Sequence, residues 1–111
     1  MLPEYAAGLA GLEGFSHIIL LYFFHHAQPG YELSVVPYLD DKPKGLFAMR
    51  YPRRPNPIGL SVVRLVRREG NLLHVDGIDV LDGTPLLDIK PYVPPFDAFP
   101  EATLGWLEGR T

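Results

Sequence analysis

Apolar residues at spaced positions over residues 2–13, interrupted by Gly8 and Gly11, predict a short helix that Gly14 ends. The next stretch, Ser16-His17-Ile18-Ile19-Leu20-Leu21-Tyr22-Phe23-Phe24-His25, is β-branched and aromatic without alternation. It predicts a strand buried on both faces. Gln28-Pro29-Gly30 is a turn, and residues 32–38 form a second strand, which Pro37 places at an edge. A polar loop at 40–44 leads to a short strand at 45–49. Residues 51–57 contain Pro52, Pro55 and Pro57, which exclude a helix or a regular ladder. A strand at 60–66, a turn at Glu69-Gly70-Asn71 and a return strand at 72–80 make a hairpin. Asp82-Gly83 is a further turn signal before a strand at 86–89. Pro91, Pro94 and Pro95 then break regularity, and residues 100–108 form a short helical tail.

Six or seven short strands with few helical segments predict an all-β fold, a small β-barrel or a sandwich. No stretch between strands has room for the helices of a doubly wound sheet. Consistent with that, there is no G-x-G-x-x-G, no phosphate loop and no H-E-x-x-H. A nucleotide-type ligand would therefore need a site of another kind.

Bulk properties narrow the class. The 111 residues are the size of one domain and bury about 65% of their unfolded surface, enough for a single core. With 47% hydrophobic and 21% charged residues, disorder is not expected. The absence of cysteine rules out disulfides and thiolate metal sites and fits the cytoplasm. The apolar run at 18–24 is far short of the roughly 20 residues that cross a bilayer, and no secretory signal opens the chain.

The net charge of −3 argues against nucleic acid until its distribution is considered. Eight of the ten Lys and Arg residues lie between Lys42 and Arg68, where there is no Asp or Glu. Acids flank the stretch at Asp40, Asp41 and from Glu69 onward. The stretch is either a solvated basic face or a phosphate-binding surface.

The most unusual segment is Arg50-Tyr51-Pro52-Arg53-Arg54-Pro55-Asn56-Pro57-Ile58-Gly59-Leu60-Ser61. Three prolines stiffen it, so little entropy is lost when it orders a ligand. Arg50 and Arg54 offer planar donors for carboxylate or phosphate. Asn56 can donate and accept, as an adenine edge requires, and Gly59 permits close backbone approach. A second segment runs from Gly77 through Ile78-Asp79-Val80-Leu81 to Asp82-Gly83-Thr84-Pro85. In extended backbone Asp79 points opposite to Ile78 and Val80. Its carboxylate suits ribose hydroxyls or a ligand ammonium. His25 closes the aromatic strand and stands at a pocket mouth or caps the strand. His25 and His26 are adjacent and not suited to one metal ion, and no metal site is expected. Ser61 lies outside any nucleophile elbow.

The runs GLFAMRYPRRPNPIGLSVVRL and DVLDGTPLLDIKPY, with LEGFSHIILLYFFH upstream, resemble the TsaA-like family, which contains the tRNA N6-threonylcarbamoyladenosine methyltransferases. The resemblance covers roughly residues 11–106. It implies a single TsaA-like β-barrel domain over residues 1–111, lacking the family's usual N-terminal strand and any C-terminal extension. It also implies a homodimer that binds S-adenosylmethionine and methylates N6 of a modified adenosine beside the tRNA anticodon. His25, His26, Arg50, Leu60, Ile78, Asp79, Val80 and Leu81 match cofactor-binding positions. Arg53, Arg54 and Asn56 belong to the motif loop that meets the substrate nucleotide. Asp79 and His25 are the candidates to accept the N6 proton. A non-catalytic S-adenosylmethionine or nucleotide-binding module and a small-molecule methyltransferase are the rival expectations.

Overall fold

The computed structural model describes residues 3–27, 29–38, 40–78, 80 and 82–109. Its central element is a four-stranded antiparallel sheet. In chain order the strands are β1 (His17–Phe23), β2 (Ser34–Val35), β3 (Lys44–Gly45), β4 (Ile58–Glu69), β5 (Leu72–Asp76) and β6 (Leu86–Pro91). The sheet runs β5-β4-β1-β6, and β2 and β3 form a separate two-stranded ribbon. The one α-helical turn among the described residues is α1 (Pro94–Asp97), which starts on Pro94 as fixed proline φ favours.

The core lies on one face of this sheet. Ile18, Leu20 and Tyr22 alternate inward on β1 and pair with Val63, Ser61 and Gly59 of β4. Ile18, Leu20, Tyr22, Val63 and Leu65 form the buried cluster, with Leu12, Leu73, Val75, Ile78 and Ile89 packed against it. Gly70, at φ 63°, makes the β4–β5 hairpin turn that Glu69-Gly70-Asn71 predicts. Register shifts interrupt both flanking ladders, between Leu21 and Tyr22 against β6 and between Leu65 and Arg67 against β5.

Several expectations change. Among the described residues the sheet is open, not a closed barrel, because β5 and β6 are edges that no strand bridges. The molecule is accordingly flat, 18 Å in its shortest extent, with a radius of gyration of 16.5 Å. A compact chain of this length would have about 13 Å. The strand β1 is not buried on both faces: Ile19 and Leu21 are half-buried and Phe23 is exposed on the outer side. Ile58, Leu60 and Val62 of β4 continue that outer apolar face. The predicted N-terminal helix is instead 3-10, at Pro3–Leu9 and Leu12–Gly14, because Gly8 and Gly11 weaken the longer α-helical ladder. The strand expected at 32–38 shrinks to two residues, and 46–48 turns into a 3-10 segment. The return strand stops at Asp76, where Gly77 takes φ 97°.

Candidate functional site

The two unusual segments meet at the end of β1. The Phe23 amide donates to the Pro85 carbonyl at 3.0 Å, and the Phe24 amide donates to the Pro57 carbonyl at 2.8 Å. One belongs to the turn after Asp82-Gly83 and the other to the proline-rich loop. Both prolines serve as acceptors, which a residue without an N–H can still do. Beyond them, the His25 amide bonds to Phe23 and the Ala27 amide to Phe24, a tight turn that presents both histidines. Their ring centroids are 3.9 Å apart at an interplanar angle of 41°.

Two hollows adjoin across Phe24. The first, about 430 Å³, lies between Tyr22, Phe24, Arg50, Tyr51, Gly59 and Leu60. The second, about 350 Å³, lies between Phe24, His25, His26, Pro52, Val80 and Thr84. Each falls in the range of small-molecule sites. Phe24 stacks edge-on against Tyr22 at 5.6 Å, and the Tyr22 hydroxyl is 2.8 Å from Ser61 Oγ, so the dividing wall is fixed from behind. Gly59 is buried beneath both rings.

The sequence candidates divide as follows. Arg50 and Leu60 line the first hollow; His25, His26 and Val80 line the second. Arg50 is exposed and makes no hydrogen bond or ion pair to any described residue. Arg53 donates to the Pro29 carbonyl at 3.4 Å, tying the loop to the turn at Gly30. Arg54 lines the first hollow but is turned into its own loop: Nη1 donates to the carbonyls of Met49 at 2.8 Å and Tyr51 at 2.9 Å. Its guanidinium lies 5.7 Å from the Phe47 ring centre. Asn56 is exposed, and its carbonyl accepts from the Ile58 amide at 2.8 Å. Ile78 packs against the core cluster and lines neither hollow. Asp79 and Leu81 lie outside the described residues. Phe24, Tyr22, Tyr51 and Thr84 are site residues that sequence reasoning missed. Phe24 was visible as the last aromatic before His25, and Thr84-Pro85 as part of the second segment.

Four of the eight basic residues in the stretch are ion-paired, and the acids that flank it in sequence do much of this. Lys44 pairs with Asp40 at 3.1 Å, Arg64 with Asp76 at 3.3 Å, Arg67 with Glu69 at 2.5 Å and Arg68 with Glu13 at 3.2 Å. Lys44 and the neighbouring Asp41 amide hold the Asp40 carboxyl at about 2. Hydrogen bonds from Arg68 and the Gly11 amide hold Glu13 below its ordinary value. The positive field therefore concentrates on the loops, at Lys42, Arg50, Arg53 and Arg54, rather than along β4. Among the described residues no three His, Asp or Glu side chains converge as metal ligands. None of the described helices is long and apolar enough to cross a membrane.

A larger groove of about 1120 Å³ runs between the N-terminal 3-10 segment and β6. It contains none of the arginines or histidines, so its size does not make it the chemical site.

Among the described residues the fold is a β domain built on one four-stranded sheet and a two-stranded ribbon, with two adjoining aromatic-walled hollows at one end of its central strand β1. The chain belongs to the family of the tRNA-methyltransferase O N-terminal domain, whose model matches residues 1–98. It is 58% identical over 107 residues to a probable S-adenosyl-L-methionine-binding protein of Pyrococcus abyssi, covering 96% of this chain and 57% of that protein. It is 43% identical over 98 residues to the tRNA (adenine(37)-N6)-methyltransferase of Mus musculus, covering 86% of this chain and 22% of that one. The crystal structure of TrmO from Pseudomonas aeruginosa superposes with a TM-score of 0.77 at 45% identity, over 96% of this chain and 45% of that chain. The chain thus spans about half the length of the Pyrococcus and Pseudomonas proteins.

Proposed function

We propose that this domain binds S-adenosylmethionine and methylates N6 of a modified adenosine in tRNA near the anticodon. The observation that carries the reading is the junction at Phe23 and Phe24, where the Pro57 and Pro85 carbonyls join the two motif segments into adjoining hollows. The family and the mouse relative's name support the same reaction.

The residues fit the cofactor chemically. Arg50 has a free guanidinium for the methionine carboxylate, a charge-assisted pairing. Phe24 and Leu60 supply apolar walls for a nucleoside. His25, His26, Val80, Ile78 and Leu81 belong to the same cofactor site in this reading. When bound, the sulfonium supplies an electrophilic methyl group. The protein's task is then to align adenine N6 with it, and alignment alone contributes several kcal/mol. His25, at a ring nitrogen, or Asp79, at its carboxylate, takes the N6 proton. Arg53 and Asn56 meet the substrate nucleotide, with Lys42 adding to the field that attracts phosphate.

The domain acts as a homodimer in the cytoplasm. The outer sheet face supports a second copy: Ile19, Leu21 and Val62 form an apolar centre. Asp88–Lys90 and Arg64–Asp76 lie at its margins, opposite charges that a two-fold axis can match. In this reading residues 1–111 form one TsaA-like domain.

The second reading is a binding module without transfer, favoured by the ion pairing that removes four basic residues from the field. Incubation with tRNA and S-adenosylmethionine labelled in the methyl group separates the two. Label recovered in N6-methylated adenosine after nuclease digestion supports transfer. Saturable cofactor binding with no label in RNA supports the module, and label in small molecules regardless of RNA supports a small-molecule methyltransferase.

A further inference from the structure

We infer that Arg54 is a positioning residue: it locks the backbone on both sides of Arg50 and thereby aims Arg50 into the first hollow. The inference rests on the cofactor reading above, and it changes the role that the sequence suggested for Arg54. Its Nη1 bonds the carbonyl of Met49 at 2.8 Å and that of Tyr51 at 2.9 Å, the two residues flanking Arg50. One nitrogen therefore closes a ring around the peptide unit that carries Arg50. The guanidinium also stands over Phe47 at 5.7 Å. Phe47 belongs to the 3-10 turn Leu46–Ala48, which is anchored by buried Leu46 and by the Trp106 indole N–H donating to Ala48 at 2.7 Å. The turn is thus a fixed base, and Arg54 transmits that fixity to residues 49–51. These residues have no strand or helix of their own to hold them. Arg50 has no partner among the described residues, so its direction depends on the backbone beneath it. A long side chain on an unconstrained loop loses more entropy on binding than one on a fixed loop.

Arginine suits this role because a delocalised guanidinium caps two carbonyls and stacks on a ring at once. Both backbone bonds come from one nitrogen, so a lysine ammonium can reproduce most of the function.

The test is a double-mutant cycle on the full chain, with S-adenosylmethionine titrated calorimetrically. Arg50→Met and Arg54→Met each lower affinity about tenfold, the effect of losing one charge-assisted contact. The double variant is no weaker than Arg50→Met, because Arg54 acts only through Arg50. Arg54→Lys recovers most of the loss. Hydrogen–deuterium exchange of Arg54→Met speeds up in peptides covering 46–55 and nowhere else, while emission of Trp106, the one tryptophan, stays unchanged. Losses that multiply to about a hundredfold would overturn the inference, because they would mean that Arg54 contacts the ligand independently. Unchanged exchange over 46–55 would also overturn it. If the wild-type chain fails to bind S-adenosylmethionine, the cofactor reading fails. The exchange measurement then still decides whether Arg54 holds the loop.

Discussion

Gly59 lies directly beneath the ring of Tyr22, its cross-strand partner, at the floor of the first hollow. A methyl group at this position would overlap the Tyr22 ring and come within 2.9 Å of Phe24 Cζ. The two aromatics that divide the site therefore depend on a missing side chain. Gly59→Ala must push both rings outward, and forced overpacking costs about 1–3 kcal/mol. Urea denaturation is expected to show that loss, and cofactor affinity falls with it. Unchanged stability would mean that the rings repack freely.

Arg50 is predicted to matter for ligand and not for fold. With no described partner to lose, Arg50→Met leaves the unfolding free energy from urea denaturation within about 0.5 kcal/mol of wild type, as for ordinary surface changes. S-adenosylmethionine affinity, read by calorimetry, drops about tenfold. A large stability change with affinity intact would contradict this assignment.

The Asp40–Lys44 pair predicts an acid-limb effect. The Asp40 carboxyl titrates at about 2, against an ordinary value of 3.8. A lowered acid pKa contributes stability that is fully present above the unfolded value and disappears as pH falls toward the folded one. Asp40→Asn should therefore be less stable than wild type at neutral pH. The two curves should converge as pH falls from 3.8 toward about 2. Parallel acid-unfolding curves would show that the pair contributes nothing.

The outer sheet face predicts association. Val62 points away from the core and is 43% exposed, so Val62→Asp is tolerated by the folded monomer. Its charge would be buried, unpaired, if that face meets a second copy. Sedimentation velocity is expected to show a dimer for wild type and a monomer for the variant. A wild-type monomer at all concentrations would refute the arrangement.

The strands were legible where apolar residues ran together or a glycine turn punctuated them. Residues 17–23 and the hairpin at Gly70 are the clear cases. The burial of β1 was misjudged, because an unbroken apolar run does not say whether the second face meets this chain or another. The open sheet was equally illegible, since closure depends on whether β5 and β6 find a strand to bridge them. The proline-rich loop was recognisable from composition. The ion pairing of Arg64 and Arg68 was not, because Asp76 and Glu13 reach them only through strand pairing and chain reversal. The hydrogen bonds of Arg54 to its own loop were illegible for a related reason: two arginines in one loop look alike in sequence, and only the backbone geometry shows which one reaches the Met49 and Tyr51 carbonyls.

The central claim is that ligand binds at the end of β1. Amide chemical-shift mapping with S-adenosylmethionine tests it most directly. The account predicts saturable shifts concentrated at residues 22–26, 49–60 and 78–84, with residues 4–12 unmoved. Shifts centred on Tyr5 and Leu9 in the larger groove beside β6, or none at millimolar ligand, would contradict it.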